Sequence, residues 1–264
     1  MANHELDRLR QRVLDYADTF IFRADIPDPH ILKKEHTLRV TDEILDLARE
    51  LNLPGPMTVL AQAIALLHDL GRFRQFETYG TFQDRISENH ARLALKEIKT
   101  LGILEQWTDL ERRMIMDGVL FHNAAEVPAD RDLDGTLLMK LIRDADKLDI
   151  WRVLIDHYSS APSEKNRYIT LGFEDNTGFS GKVVEAVFKN SYVRSDLVNG
   201  LADLKLMQMS WVFDLNFPES VARIRKRGYI DAIASTLPAS DILSGICHHI
   251  NAYMETNEVH EINY

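Results

Sequence analysis

The chain has 264 residues, 45% hydrophobic and 27% charged, which is enough apolar material for a substantial core. Its formal net charge of −10 argues against a broad basic face for nucleic acid. No apolar run reaches the roughly 18 residues that a membrane span needs.

Glycine and proline are sparse, at 12 and 8 residues, which favours long helices over a turn-rich β fold. Cys247 is the single cysteine, so no intrachain disulfide is available. Met1 to Arg12 carries both charge signs and has no apolar segment of the signal-peptide kind. Together these features predict a cytoplasmic protein.

In chain order, Leu6, Leu9, Val13, Leu14, Ala17 and Phe20 make a helical stripe over Glu5 to Phe22, which Pro27-Asp28-Pro29 breaks. The second helix runs from His30 to Leu51. There His36 shares a face with Val40, Ile44, Leu47 and Leu51 and therefore points toward the core. A third runs from about Met57 to Leu70, with Gly71 as its stop, and carries His68-Asp69. Arg72 to Ile86 has no period and reads as a loop over the site.

Ser87 is the expected N-cap of a fourth helix, on which His90, Ala94, Ile98 and Leu101 align. Thr108-Asp109-Leu110-Glu111 is a capping-box pattern opening a fifth, whose face includes Ile115, Val119 and His122. Asn123 to Asp134 reads as a loop. Thr136 is the expected cap of a sixth helix carrying Leu138, Ile142, Asp146, Asp149 and Val153 at helical spacing.

Ser159 to Ser180 is polar and reads as a loop or linker. Helical stretches follow at about Gly181 to Lys189, Asp196 to Leu215, Pro218 to Arg227 and Ala239 to Glu255. The domain layout expected is a core over 1–158, a linker over 159–180, and a helical extension over 181–264 packed on the same domain. No strand pattern and no repeat is visible, so the fold class is all-α.

Six residues stand out along these helices: His36, His68, Asp69, His90, His122 and Asp146. An imidazole or carboxylate on an apolar face is costly to bury without a partner, and a metal ion satisfies both. This mixed nitrogen and oxygen set suits iron, manganese or another transition metal, with magnesium also allowed. Six groups exceed one tetrahedral ion and suit two ions, with Asp69 placed to bridge. Asp149, one turn after Asp146, reads as a partner of a ligand rather than a ligand.

The motifs His36-Thr37-Leu38-Arg39-Val40, His68-Asp69-Leu70-Gly71, His90, His122 and Asp144-Ala145-Asp146-Lys147 resemble the HD superfamily of metal-dependent phosphohydrolases over about Leu32 to His157. The resemblance implies a helical bundle. It implies His36, His68, Asp69 and Asp146 as ligands of a first metal, and His90 and His122 as ligands of a second, as in the dinuclear branch. Phe121-His122-Asn123 and the lack of a Gly-Tyr-Pro signature set the chain apart from the branch that degrades cyclic di-GMP. Arg72-Phe73-Arg74-Gln75-Phe76 occupies the place of the acidic pair of the alarmone-hydrolysing branch.

The function expected is hydrolysis of a phosphoester or phosphoanhydride, of a nucleotide for preference, by a metal-activated hydroxide. Asp69, Arg72 and Lys147 are the candidate catalytic residues. Arg72 and Lys147 would offset charge on the phosphoryl oxygens. Phe73, Phe76, Tyr79 and Phe82 are candidate walls for a base. The alternative on the same ligands is an HD-type diiron oxygenase, and a third reading is a metal-containing regulatory module. The partner expected is a small phosphate-bearing molecule, with no membrane and no broad nucleic-acid surface, and a homo-oligomer is compatible with the sequence.

Arg223-Ile224-Arg225-Lys226-Arg227 precedes Gly228 and suits a helix C-terminus. Gly178-Phe179-Ser180-Gly181-Lys182 is not a phosphate-binding loop, because Val183 stands where Ser or Thr is needed. Ser180 reads there as an N-cap.

Overall fold

A computed structural model describes residues 2–159, 170, 173 and 178–257. Most of the expected linker over 159–180 lies outside these residues. The described residues form helices and no strand, and the fold is all-α. None of the described helices is long and apolar enough to cross a membrane. The chain divides into two compact units, Met1–Asp149 and Ile150–Tyr264.

The first unit contains α1 (Ala2–Arg23), α2 (Asp28–Glu50), α3 (Gly55–Leu67), α4 (Leu70–Tyr79), α5 (His90–Leu101), α6 (Asp109–Phe121) and most of α7 (Leu133–Tyr158). Its centre is α3, an almost unbroken apolar helix buried from Val59 to Leu67 except at Gln62. A helix that is apolar all round needs neighbours on every side, and α1, α2 and α6 supply them.

Several local expectations differ from the structure. Gly71 does not stop a helix; it lies inside α4, where a Cβ would sit 2.2 Å from His90 O and 2.5 Å from Ala94 N. The glycine is there because α4 and α5 approach through their backbones. Arg72 to Tyr79 is therefore helical, not loop. Its buried face carries Gln75 as well as Phe73, so it shows no apolar stripe.

The N-cap of α5 is Asn89, whose side chain accepts from Arg92 N at 3.0 Å, and not Ser87. Helix α7 likewise begins earlier than Thr136, at Leu133, with Asp132 Oδ1 accepting from Gly135 N at 2.7 Å. The capping box of Thr108 and Glu111 forms as expected. These ends matter because they place the chemistry. His68 caps the C-terminus of α3, Asp69 is the N-cap residue of α4, His90 opens α5, and His122 caps the C-terminus of α6.

The second unit contains α8 (Gly181–Phe188), α9 (Leu201–Ser210), α10 (Pro218–Arg227), α11 (Tyr229–Ala234) and α12 (Asp241–Asn257). The expected helix from Asp196 to Leu215 is interrupted. Two short 3₁₀ turns, Ser195–Leu197 and Trp211–Asp214, flank α9. Helix α9 is buried from Ala202 to Ser210. Gly228 ends α10 at φ +64°, and the basic run fills the last turn of that helix. Ser180 holds the N-cap position of α8, but its hydroxyl donates to Asp203 Oδ2 at 2.5 Å instead of capping.

Candidate metal centre

The six sequence-selected residues converge in the first unit. His36 and His68 bring their Nε2 atoms to 3.4 Å of each other. Asp146 Oδ1 lies 3.0 Å from His36 Nε2 and 3.6 Å from His68 Nε2. Asp69 Oδ2 lies 3.6 and 3.8 Å from the same two nitrogens. Its other oxygen, Oδ1, faces the opposite way and sits 3.5 Å from His90 Nε2. His90 and His122 place their Nε2 atoms 2.9 Å apart. Two groups of donor atoms that could hold an ion result: His36, His68 and Asp69, and Asp69, His90 and His122.

The outward-facing Nδ1 of every one of these rings meets an acceptor. His36 Nδ1 is 2.7 Å from Asp149 Oδ2, and His90 Nδ1 is 2.7 Å from Asp84 Oδ2. His68 Nδ1 is 2.7 Å from Ala65 O, and His122 Nδ1 is 2.7 Å from Val119 O. These contacts assign the proton of a neutral ring to Nδ1, which leaves four Nε2 lone pairs aimed inward. Lone pairs then face lone pairs and carboxylate oxygens. Asp146 Oδ1 is buried and accepts no hydrogen bond. Such an arrangement is repulsive unless cations lie among the acceptors, and the donor set fits a divalent transition metal.

The electrostatics of His90, His122 and the two carboxylates point the same way, and those of His36 run against them. Burial pushes the His122 pKa down, and the charges of His90 and His68 lower it further, to about 3. Burial also lowers His90. His36 is raised: burial and Lys33 oppose its charge, but Asp146 and Asp149 outweigh them. Burial opposes ionisation of Asp69, yet Lys33, His68, Arg72 and His90 hold its carboxyl well below the usual range. In Asp146, the nearby His36 and His68 likewise outweigh burial and hold the carboxyl well below the usual range. Ionised carboxylates and neutral imidazoles are the forms that bind metal.

Residues 34–151 match the HD domain family model. The chain carries an HD domain. Neither a curated protein nor a solved structure matches the chain. HD domains form a superfamily of metal-dependent phosphohydrolases, and the buried His/Asp groups described above lie in its matched span.

The two other catalytic candidates differ in placement. Arg72 lies beside Asp69, with Nε 3.4 Å from Oδ1. Its Nη1 donates to Phe82 O at 2.6 Å, Gln75 Oε1 at 2.8 Å and Asp84 Oδ1 at 3.0 Å. It therefore ties the loop after α4 to the HD domain's centre. Lys147 follows Asp146 on α7, and its Nζ donates to Arg143 O at 3.4 Å, one turn back.

Asp149 is buried and accepts from both His36 and Arg39, whose Nε lies 2.6 Å from Oδ1. Two residues escaped the sequence reading. Asp84 lies in an aperiodic segment, yet holds His90, Arg72 and Gln75. Burial opposes its ionisation, but the His90 bond and the charges of His90 and Arg72 bring its pKa to about 2. Lys33 sits one turn before His36, the only clue in the sequence, and donates to Asp69 Oδ2 at 2.7 Å.

Proposed function

We propose that this HD domain binds two divalent metal ions and hydrolyses a phosphoester or phosphoanhydride of a small phosphate-bearing molecule, a nucleotide for preference. The reading rests above all on one observation: the two oxygens of Asp69 face two different histidine pairs. His36, His68, Asp69 and Asp146 would hold the first ion, and Asp69, His90 and His122 the second. When bound, such ions polarise phosphoryl oxygens and lower the pKa of a nearby water.

The protein groups have separate tasks. Asp149, Asp84 and the carbonyls of Ala65 and Val119 hold the four rings in the ligating tautomer and orientation. Arg72 and Lys147 offset charge that develops on the transferring phosphoryl group. Phe76 and Phe82, with ring centroids 4.9 Å apart, offer an apolar wall near Arg72.

The test is phosphate release from a panel of nucleotides by protein loaded with manganese, iron, cobalt or magnesium. The expected outcome is hydrolysis that proceeds equally in air and under nitrogen with manganese. Iron-restricted turnover that consumes dioxygen and stops under nitrogen would replace this reading with a diiron oxygenase.

A further inference from the structure

We infer that Lys33 is a phosphoryl-binding residue, contributing an ammonium donor to the substrate anion beside Asp69. The inference rests on the phosphohydrolase reading and assigns a task to a residue outside the HD motifs.

Lys33 precedes His36 by three positions on α2, so both side chains leave the same face of the helix. Its Nζ donates to Asp69 Oδ2 at 2.7 Å, the oxygen that faces His36 and His68. The side chain is only 16% exposed. An ammonium has three donors, and this one is the only hydrogen bond from Nζ among the described residues. Nζ also lies 5.5 Å from the centre of the Phe82 ring.

The two arginines of the centre are committed differently. Arg39 spends Nε and Nη2 on Asp149, and Arg72 spends Nη1 on Phe82 O, Gln75 and Asp84. Arg72 Nε is buried without a hydrogen-bond partner, 3.4 Å from Asp69 Oδ1. Lys33 and Arg72 therefore flank Asp69, one at each oxygen, each with unused donor capacity.

Charge decides what those donors are for. Asp69, Asp84, Asp146 and Asp149 face Lys33, Arg39 and Arg72, one carboxylate more than cations. Two divalent ions reverse that balance and leave the pocket strongly positive. If Lys33 served only to neutralise Asp69, an ion would make it redundant, and a buried ammonium beside divalent ions is unfavourable. A dianionic phosphoryl group offsets most of that excess and accepts hydrogen bonds from a point cation such as lysine.

The experiment compares wild type, Lys33→Met and Lys33→Gln, each loaded with manganese, by elemental analysis, thermal melting and calorimetric titration with inorganic phosphate. Both variants should keep the wild-type ion content. They should bind phosphate about 10- to 100-fold more weakly, the size of one lost charge-assisted bond. Lys33→Arg should recover part of the loss. Either folded neutral variant binding phosphate as tightly as wild type overturns the inference while the hydrolase reading stands. Loss of ions from both overturns it too, because Lys33 would then be a support for Asp69. A metal-loaded wild type that binds no phosphate overturns both readings.

Discussion

Both units of this protein bury ionisable groups, and they do so in opposite ways. In the second unit, Asp203 is fully buried and accepts from Ser180 N, Ser180 Oγ and Asn199 N at 2.8, 2.5 and 3.1 Å. Lys205, also buried, donates to Thr236 O at 3.1 Å and lies 4.5 Å from the centre of the Tyr158 ring. Both of these buried charges find protein partners of the complementary kind. In the first unit, acceptors converge on acceptors: four imidazole nitrogens, Asp69 and Asp146 share one small volume. Buried charge by itself marks structure as often as function. Acceptors left facing one another mark a place where something positive belongs.

Removing metal is the strongest way to press that contrast. An ion present at about a thousand times its dissociation constant stabilises the folded state by about 4 kcal/mol. Chelation should therefore raise amide exchange in α2, at the α3–α4 junction and at the end of α6. Exchange in α9 should stay unchanged, since Asp203 and Lys205 keep their partners. Equal deprotection of both sets of helices would break the comparison.

Within the first unit, the two halves of the centre differ in how their outer carboxylates are carried. Asp149 stands on α7, whereas Asp84 stands on a three-residue 3₁₀ turn. Replacing a carboxylate that orients a ligating histidine typically costs 10- to 100-fold in metal affinity. Asp84→Asn should impose that loss on one ion and leave the other in place, measured by competition with a chromophoric chelator. Asp149→Asn should do the reverse. Matching losses of both ions in each variant would merge the halves into one site.

The smallest effect belongs to the second unit. Burial raises the Tyr158 hydroxyl to about 12, against the bond to Gln208 that lowers it. A raised folded-state pKa favours folding while the unfolded tyrosine is still protonated. That contribution is present below about pH 10 and declines as pH rises toward 12. Between pH 9 and 11 the loss is about 1 kcal/mol. Denaturant unfolding at the two values should show a correspondingly smaller fall for Tyr158→Phe. An identical fall would show that Tyr158 does not titrate differently on unfolding.

What the sequence disclosed follows the same physics. His36, Val40 and Ile44 repeat at helical spacing, so periodicity alone turned His36 inward. The order of the histidines and aspartates along the chain then pointed to a common centre. Lys33 was hidden because it stands in Leu32-Lys33-Lys34-Glu35, where a solvated lysine is the ordinary reading. Asp84 was hidden because a loop has no period to say which way a side chain faces. Gly71 misled because a glycine after an apolar run matches a helix stop. Only the approach of α4 to α5, a tertiary fact, shows why it is there.

The central claim is that Asp69 serves two ions at once, and counting ions tests it most directly. Untagged protein purified without chelators and analysed for metals should carry about two per chain. His122→Ala should retain about one, and Asp69→Ala essentially none. A wild-type content near one that His122→Ala leaves unchanged would contradict the account and reduce the centre to a single site.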